Sequence, residues 1–360
     1  MKVGIVGLPN AGKSSLFTAL TGVAAEAANY PFTTIEPNLA VVPVADERLE
    51  AVARTVGASR VVPDTITFHD IAGLVAGAHR GEGLGNRFLA NIRETDAIVH
   101  VVRAHHDPNV VHPEGRVDPL ADIETVETEL IYADLEQAER RLERVVRAAR
   151  GGERHAVAEE AWLRELIAAL QAGQPARTVP PPSEAPDALA LLQPLTAKPV
   201  LYVANVEEGS DAVPPELAEY ARSQGAAAVA VSARLEAELA ELPAEEATAL
   251  RAELGLSESG LQAVVRGAFS LLELIAFFTA GEGRPAQSWH LRRGLTVWHA
   301  AGMIHSDIQR GFVRAEVVGW EQLVEAGGYA GARERGTLRL EGRDYMVADG
   351  DVITVRFTPG

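Results

Sequence analysis

Near its start the chain reads Gly7-Leu-Pro-Asn-Ala-Gly12-Lys13-Ser14, directly after the short apolar run from Lys2 to Val6. This stretch fits the phosphate-binding pattern G-x-x-x-x-G-K-[ST], and residues 15–20 continue with apolar residues at helical spacing. The two glycines let consecutive backbone N–H groups face inward and form an anion site at a helix N-terminus. The motif therefore predicts a strand, a phosphate-binding loop and a helix, the first unit of an α/β fold.

Two side chains of this loop carry its chemistry. Lys13 is expected to reach the β and γ phosphates of a nucleotide, and the hydroxyl of Ser14 can ligate Mg²⁺. The alternative is a glycine-rich turn with a chance lysine. The strand before the loop and the helix after it argue against that alternative.

The bulk composition limits the class of protein. At 360 residues, the chain is long enough for two or three domains. It contains no cysteine, which excludes disulfides and thiolate metal sites and fits a reducing cytosol. We find no apolar run of about 18 residues that would span a membrane, and the motif begins too early to leave room for a signal peptide.

The net charge of −17 argues against attraction of the whole molecule to nucleic acid. The charge is unevenly spread, however, because residues 284–360 contain ten arginines against nine acidic residues. A local basic face near the C-terminus is therefore compatible with the sequence.

Two further segments provide candidate metal and γ-phosphate contacts. Thr34 lies in a proline-bearing loop and can complete the Mg²⁺ shell when γ-phosphate is present, although the same loop also fits a plain exposed turn. The strand-like run 65–70 ends in Asp70, which can hold Mg²⁺ through water. Gly73 follows at the spacing D-x-x-G, which lets its backbone N–H meet the γ-phosphate.

The water-positioning group is less clear from the residues alone. Leu74 stands where Ras-like proteins have the glutamine that orients the attacking water, and a leucine cannot do this. The loop after the predicted strand 97–102 offers three histidines, His105, His106 and His112. A histidine in a loop is more often merely solvated, so chemistry alone leaves the choice open.

The residues expected to recognise the nucleotide base directly follow two predicted strands, 199–204 and 226–231. The first is followed by Asn205-Val206-Glu207-Glu208 and the second by Ser232-Ala233. In a GTPase these strand ends would carry N-K-x-D and S-A, which recognise guanine. Here the positions of the lysine and the aspartate hold a valine and a glutamate.

These two replacements weaken the case for guanine. Val206 has no ammonium group, and Glu208 is one methylene longer than the aspartate that accepts from guanine N1–H and N2–H₂. The amide of Asn205 matches N6–H₂ and N7 of adenine in a bidentate way. The sequence therefore favours ATP, while a GTP-specific switch stays open.

The middle of the chain predicts an antiparallel helical hairpin, broken by Gly151-Gly152 and followed by a proline-rich linker. Two apolar stripes carry this prediction, one formed by Ile131, Leu135, Ala138, Leu142, Val145 and Ala149 and one by Val157, Leu163, Leu166, Ile167 and Leu170.

The last region predicts a small α+β module that follows an apolar helix over 261–278. Short strands are expected at 288–291, 315–318, 337–340 and 351–357, with a helix near 296–304. The predicted domains are a discontinuous nucleotide-binding domain (1–117 and 190–276), an inserted hairpin with its linker (118–189) and a C-terminal domain (277–360).

Taken together, the motifs resemble the YchF-type Obg-like ATPases, a branch of the translation-factor-related P-loop GTPases. The matching stretches are GLPNAGKSS, NYPFTTIEPN, DIAGLVAGAHRGEGLGNRF, NVEE, IHSDIQRGFVRAEV and EGRDYMVADGDV. The resemblance implies a G-domain sheet with an inserted helical hairpin and a C-terminal ubiquitin-like TGS domain. The chain departs from the family at Ala76, where lysine is frequent, and at Val297-Trp298, in a helix that usually carries small residues.

The resemblance also implies roles for individual residues. It implies hydrolysis assisted by His112, adenine contacts from Asn205 with Val206, and Mg²⁺ bound by Ser14 and Thr34. The predicted catalytic groups are then Lys13, Gly73 and His112, and the predicted metal ligands are Ser14, Thr34 and Asp70. The predicted nucleotide-binding residues are Asn10, Ala11, Gly12, Lys13, Ser14, Ser15, Asn205, Val206, Glu208, Ser232 and Ala233.

The resulting hypothesis is a cytoplasmic Mg²⁺-dependent ATPase that acts as a switch on the ribosome, with GTP bound more weakly. Contact with the ribosome, and with RNA, is expected through the TGS domain and the hairpin. Two alternatives remain: a GTP switch, and a ribosome- or RNA-binding module in which the nucleotide is only structural. A phosphotransferase is disfavoured because the sequence shows no acceptor site or arginine-bearing lid.

Overall fold

The computed structural model describes residues 1–26, 38–71, 84–107, 110, 112, 115–256 and 259–358. Thr34, Gly73, Leu74 and Ala76 lie outside the described residues, so the predictions made for them are not addressed by the structure. The described chain forms two compact units, one of residues 1–26, 38–41 and 67–271 and one of residues 42–66 and 272–358.

The strands and helices are numbered in chain order. The strands are β1 (Lys2–Val6), β2 (Leu39–Pro43), β3 (Arg60–Val62), β4 (Thr65–Asp70), β5 (Ala97–Arg103), β6 (Val200–Asn205), β7 (Ala227–Val231), β8 (Leu274–Thr279), β9 (Pro285–Arg292), β10 (Phe312–Gly319), β11 (Arg339–Glu341) and β12 (Asp351–Phe357). The α-helices are α1 (Lys13–Glu26), α2 (Glu47–Val56), α3 (Leu84–Arg93), α4 (Pro119–Ala149), α5 (Arg154–Gln171), α6 (Ala188–Leu192), α7 (Pro215–Ser223), α8 (Ala233–Leu239), α9 (Ala244–Glu253), α10 (Gly260–Leu271), α11 (Val297–Ile304), α12 (Ser306–Arg310), α13 (Trp320–Glu325) and α14 (Tyr329–Glu334). Short 3₁₀ helices lie at Ala176–Thr178 and Leu195–Ala197.

A six-stranded sheet in the order β2-β4-β1-β5-β6-β7 forms the core of the first unit. Strand β1 pairs in parallel with β4 and β5, and the parallel pairing continues through β6 to β7. The predicted α/β fold is confirmed. In such sheets ligands bind beyond the carboxyl ends of the strands, and the register places Asp70, Arg103 and Asn205 at those ends.

Helices α4 and α5 form the predicted hairpin, joined by a turn at 150–153 in which Gly152 has a φ of 74°. Most residues of the two predicted stripes lie in one apolar cluster, to which Trp162 and Ala156 also belong. Val157 is wrong as a stripe residue, because its side chain is 49% exposed.

The hairpin is not separated from the sheet at residue 118. The first turns of α4 belong to the core of the sheet, since Ile123 packs with Val102 and Tyr202, and Val126 packs with Val6 and other buried residues. Helix α4 therefore serves the nucleotide-binding sheet with its N-terminal part and the hairpin with the rest.

A buried carboxylate fixes the chain where it returns from the hairpin. Asp134 of α4 accepts hydrogen bonds from the backbone N–H of Leu195 at 2.7 Å, the backbone N–H of Thr196 at 2.8 Å and the hydroxyl of Thr196 at 2.6 Å. Burial raises the pKa of Asp134 above its usual range, against the effect of these hydrogen bonds. The return segment is thus held by a side chain that is 1% exposed.

The second unit contains a mixed six-stranded sheet in the order β11-β10-β12-β8-β9-β3. Strands β8 and β9 form an antiparallel pair, α11 follows, and the last strand β12 lies parallel to β8. This is the ubiquitin-like α+β arrangement expected for the C-terminal region.

Two boundaries differ from those predicted. The apolar helix expected over 261–278 ends at Leu271, where Glu273 takes a left-handed φ of 50° and the β-branched and aromatic run of β8 begins. Residues 42–66, assigned to the nucleotide-binding domain from their position in the chain, cluster with residues 272–358 instead. Their helix α2 packs Leu49 and Val52 against Phe278 and Val352. Among the helices that the structure describes, none has both the length and the apolar character that crossing a membrane requires.

Candidate nucleotide-binding site

The loop between β1 and α1 needs glycine at both ends. Gly7 has a φ of 149°, and a Cβ atom there would lie 2.2 Å from the backbone oxygen of Val101. Gly12 has a φ of 100°, and its Cβ would lie 2.2 Å from Nδ2 of Asn205. Glycine is therefore required at both positions, because the backbone has a positive φ there and lies too close to Val101 and Asn205 for a side chain.

Lys13 is held inside the curve of the loop. Its Nζ atom donates to the backbone oxygen of Leu8 at 2.7 Å, and the residue is 7% exposed. Burial lowers the pKa of Lys13 to about 8, while the charge of Asp70 acts in the opposite direction. A buried cation with one carbonyl partner is well placed to exchange that partner for a phosphate oxygen.

Asp70 and Ser14 provide oxygen donors at the same end of the sheet. Asp70 ends β4, next to β1, and burial raises its pKa, whereas the charge of Lys13 lowers it. Ser14 is exposed and lines the cavity at the loop. No cluster of three or more His, Cys, Asp and Glu side chains suited to a metal occurs among the described residues. One carboxylate and one hydroxyl fit Mg²⁺, because this ion keeps several waters and takes phosphate oxygens as ligands.

Asn205 connects the loop with the start of α8. Its Nδ2 donates to the backbone oxygen of Ala11 at 3.0 Å, and its Oδ1 accepts from the backbone N–H of Ala233 at 3.0 Å. The residue is 6% exposed. One amide hydrogen and one lone pair are left for other partners, so contact with adenine stays a prediction, but the first role of this side chain is to hold the site together.

A cavity of about 650 Å³ lies over the loop. It brings together most of the predicted nucleotide-binding residues and adds others that the sequence analysis did not select. The lining residues are Asn10, Gly12, Lys13, Ser14, Ser15, His105, His106, Asp107, Val110, Asn205, Val206, Glu207, Glu208, Ser232 and Arg234. Ala11 and Ala233 contribute through the backbone groups that bind Asn205.

Arg103 shapes one wall of this cavity and is not among the residues predicted for the site. The side chain is 2% exposed, and its guanidinium donates to the backbone oxygens of His105 (3.1 Å), Asp107 (3.0 Å) and Val110 (2.9 Å). His105 in turn places Nδ1 2.9 Å from the backbone oxygen of Asn205. A charged residue at the end of a strand that is apolar apart from His100 was the available signal.

His112 does not line the cavity. It is 9% exposed, and its Nε2 lies 3.0 Å from Oδ2 of Asp122 in the first turn of α4. Burial raises the pKa of Asp122, and the hydrogen bond from His112 opposes this rise. Of the three candidate histidines, the structure therefore brings His105 and His106 to the cavity and directs His112 toward α4.

Comparison with known proteins shows the family of this chain. The chain is 47% identical to the ribosome-binding ATPase YchF of Bacillus subtilis, over 99% of each chain. It is 48% identical to the protein of the same name from Haemophilus influenzae, again over 99% of each chain. The chain belongs to the YchF family.

Matches to family models and to a solved structure support this membership. A family described as 50S ribosome-binding GTPases matches residues 2–137, and the C-terminal domain family of YchF GTPases, described as of unknown function, matches residues 274–358. The Schizosaccharomyces pombe YchF GTPase superposes with a TM-score of 0.86 at 33% identity, covering 99% of this chain and 97% of that one. The similarity to this structure therefore covers nearly the whole length of the chain.

Proposed function

We propose that this chain is a Mg²⁺-dependent ATPase that prefers ATP to GTP and acts as a nucleotide-dependent switch on the ribosome. The observation that carries the proposal is the position of Lys13, buried beneath the phosphate-binding loop with Nζ on the backbone oxygen of Leu8. A fixed cation in a phosphate-binding loop at a helix start suits the β and γ phosphates of a nucleoside triphosphate.

The chain's own groups would assist attack of water on the γ-phosphoryl group mainly by charge stabilisation. Lys13 and the loop amides offset the negative charge that moves to the leaving oxygen. Ser14 and Asp70 would hold Mg²⁺, with Thr34 as a further proposed ligand. Bound there, the ion would neutralise charge on the β and γ phosphates. Gly73 is proposed to meet the γ-phosphate, and His112 to position water.

The preference for ATP rests on the residues at the base end of the cavity. Val206 is 6% exposed and offers no donor at the position of the lysine in N-K-x-D. Glu208 lies at the cavity in place of the aspartate. The two bacterial relatives are named ATPases, whereas the fission-yeast relative is named a GTPase. Titration with both nucleotides is therefore the measurement that decides between them.

A surface of the C-terminal unit suits the proposed ribosomal partner. The guanidinium of Arg343 lies 5.2 Å from the ring centre of Trp298, and that of Arg339 lies 5.2 Å from the ring centre of Tyr345. Met346, which follows Tyr345 in the chain, is 62% exposed. Cationic and aromatic groups side by side are typical of surfaces that bind phosphates and stack bases of RNA. A ribosomal partner would place the protein in the cytoplasm.

Calorimetric titration with non-hydrolysable ATP and GTP analogues, with and without Mg²⁺, tests the nucleotide part of the proposal. We expect tighter binding of the ATP analogue and a loss of affinity when Mg²⁺ is removed. Equal or tighter binding of the GTP analogue would contradict the ATP preference. Co-sedimentation with ribosomes in the presence of each nucleotide tests the switch, which requires that ribosome association differ between ATP and ADP.

A further inference from the structure

Arg234 and Glu208 form a charged pair at the base end of the cavity. Arg234 lies in the first turn of α8, directly after Ser232-Ala233, and Glu208 lies in the loop that follows β6. The Nε atom of Arg234 is 3.4 Å from Oε1 of Glu208, and both residues line the cavity.

Both side chains are exposed, Arg234 by 73% and Glu208 by 51%, and the pair joins two elements at the cavity instead of two turns of one helix. Arg234 also contacts Glu238, four residues further along α8, at 3.0 Å, and an i,i+4 pair of this kind needs no partner elsewhere. The contact with Glu208 is different because it joins two elements that both face the nucleotide site. Asp107, which also lines the cavity, adds a further attraction for the guanidinium.

We propose that Arg234 determines base specificity by occupying the carboxylate of Glu208, which would otherwise accept hydrogen bonds from guanine. The inference rests on the proposed ATPase function and deepens it. Guanine presents two donors, N1–H and N2–H₂, that need a free acceptor at this end of the site. Adenine lacks this donor pair, so it loses nothing when the carboxylate is engaged by a guanidinium.

The proposal predicts an asymmetric effect on the two nucleotides. Removing Arg234 frees Glu208, so GTP binding should tighten while ATP binding changes little. Because ATP and GTP carry the same triphosphate, any effect of the lost positive charge on phosphate binding cancels in the ratio of their affinities. A restored acceptor for guanine corresponds to a change in that ratio on the order of tenfold.

The test is titration of ATP and GTP analogues against four variants of the full chain. Arg234→Ala should lower the ATP:GTP affinity ratio, and Arg234→Lys should keep it near that of the parent, since lysine can still pair with Glu208. Adding Glu208→Gln to Arg234→Ala should remove the gain for GTP. Arg140→Ala is the matched control, because Arg140 is an exposed arginine of the hairpin that pairs with Glu136.

The outcomes separate this inference from the proposed function. If the parent prefers ATP and Arg234→Ala keeps the same ratio, the role of Arg234 is overturned and the ATPase proposal stands. If the parent prefers GTP, the ATP preference fails, whatever Arg234→Ala does. A fall in the ratio that persists in the Arg234→Ala, Glu208→Gln double variant would overturn the mechanism through Glu208.

Discussion

The Nε2 atom of His112 lies 3.0 Å from Oδ2 of Asp122, and both side chains are buried. The residue proposed to position water is thus held by the first turn of α4, while His105 and His106 line the nucleotide cavity. A catalytic role for His112 requires that it exchange Asp122 for a water molecule at the γ-phosphate.

We therefore predict that His112→Ala lowers ATP turnover at nearly constant ATP affinity, as expected for an interaction made mainly in the transition state. General acid–base and positioning groups of this kind contribute about 100- to 10,000-fold, and we expect a loss near the lower limit. Steady-state hydrolysis and ATP titration measure the two quantities. His106→Ala is the matched control, because His106 lies at the cavity. Since His112→Ala leaves Asp122 buried without this partner, His112→Asn should be measured as well.

If His106→Ala lost turnover and both His112 variants kept it, the catalytic assignment would move to His106. His112 would then be a structural partner of α4.

Lys13→Ala should abolish tight triphosphate binding. A charge-assisted hydrogen bond contributes about 1.5–3 kcal/mol, which corresponds to roughly ten- to a hundredfold in affinity. Lys2→Ala is a suitable control, since Lys2 is an exposed lysine of the neighbouring strand. Circular dichroism checks that both variants fold, and unchanged ATP affinity in folded Lys13→Ala would refute the phosphate-binding assignment.

Val206→Lys combined with Glu208→Asp rebuilds N-K-x-D and should raise GTP affinity. The gain expected from a bidentate contact is about 1–3 kcal/mol. Glu207→Asp serves as control, because Glu207 also lines the cavity but lies outside the two replaced positions. Asn205→Ala is not a test of base choice. It removes the contacts with Ala11 and Ala233, so it should weaken both nucleotides.

Trp298→Ala with Arg343→Ala should reduce ribosome association without changing ATP affinity, because both residues lie in the C-terminal unit. Co-sedimentation over a salt series makes the comparison, since loss of an arginine–phosphate contact also reduces the salt dependence. Arg333→Ala, at another exposed arginine of the same unit, is the control. Equal ribosome binding by parent and double variant would exclude this surface as the ribosomal contact.

Asp134→Ala should destabilise the first unit, because three buried donors lose their acceptor. Each unsatisfied donor costs about 1–3 kcal/mol, and relief of the buried charge offsets part of this, so we expect a net loss of roughly 2 kcal/mol in the free energy of unfolding. Denaturant unfolding measures it, with the exposed Glu136→Ala on the same helix as control.

The pKa of Asp134 also predicts a pH effect. Burial raises this pKa above 3.8, so the native state binds the proton more readily than the unfolded chain does. The contribution of Asp134 to the free energy of unfolding is therefore full below pH 3.8. It falls as the pH rises through the raised pKa of the native state. Asp134→Ala should lack this decrease, and a parallel pH dependence in parent and variant would contradict the assignment.

The sequence was most informative where a feature depends on neighbouring residues. The phosphate-binding loop and the strand ending at Asp70 follow from local spacing, and the structure has them as predicted. The misread helix over 261–278 shows the limit of periodicity, because an apolar run at 274–279 fits a buried strand as well as a helix.

Features that depend on distant packing could not be predicted in this way. The contacts of Asn205 with Ala11 and Ala233 become visible only when segments far apart in sequence are brought together. The carbonyl partners of Arg103 are close in sequence, but they depend on how the loop after β5 folds back over the buried guanidinium. The same holds for Val157, whose exposure depends on which face of α5 meets α4.

The grouping of residues 42–66 with 272–358 has a consequence for fragments of this protein. A truncation after residue 271 would remove side chains that bury Leu49 and Val52. The apolar face of α2 would then be exposed on the remaining fragment and would favour aggregation. The complementary fragment 272–360 would lack both α2 and the edge strand β3. A fragment meant to fold on its own therefore has to be a graft, in which residues 42–66 are joined through a designed linker to the C-terminal segment.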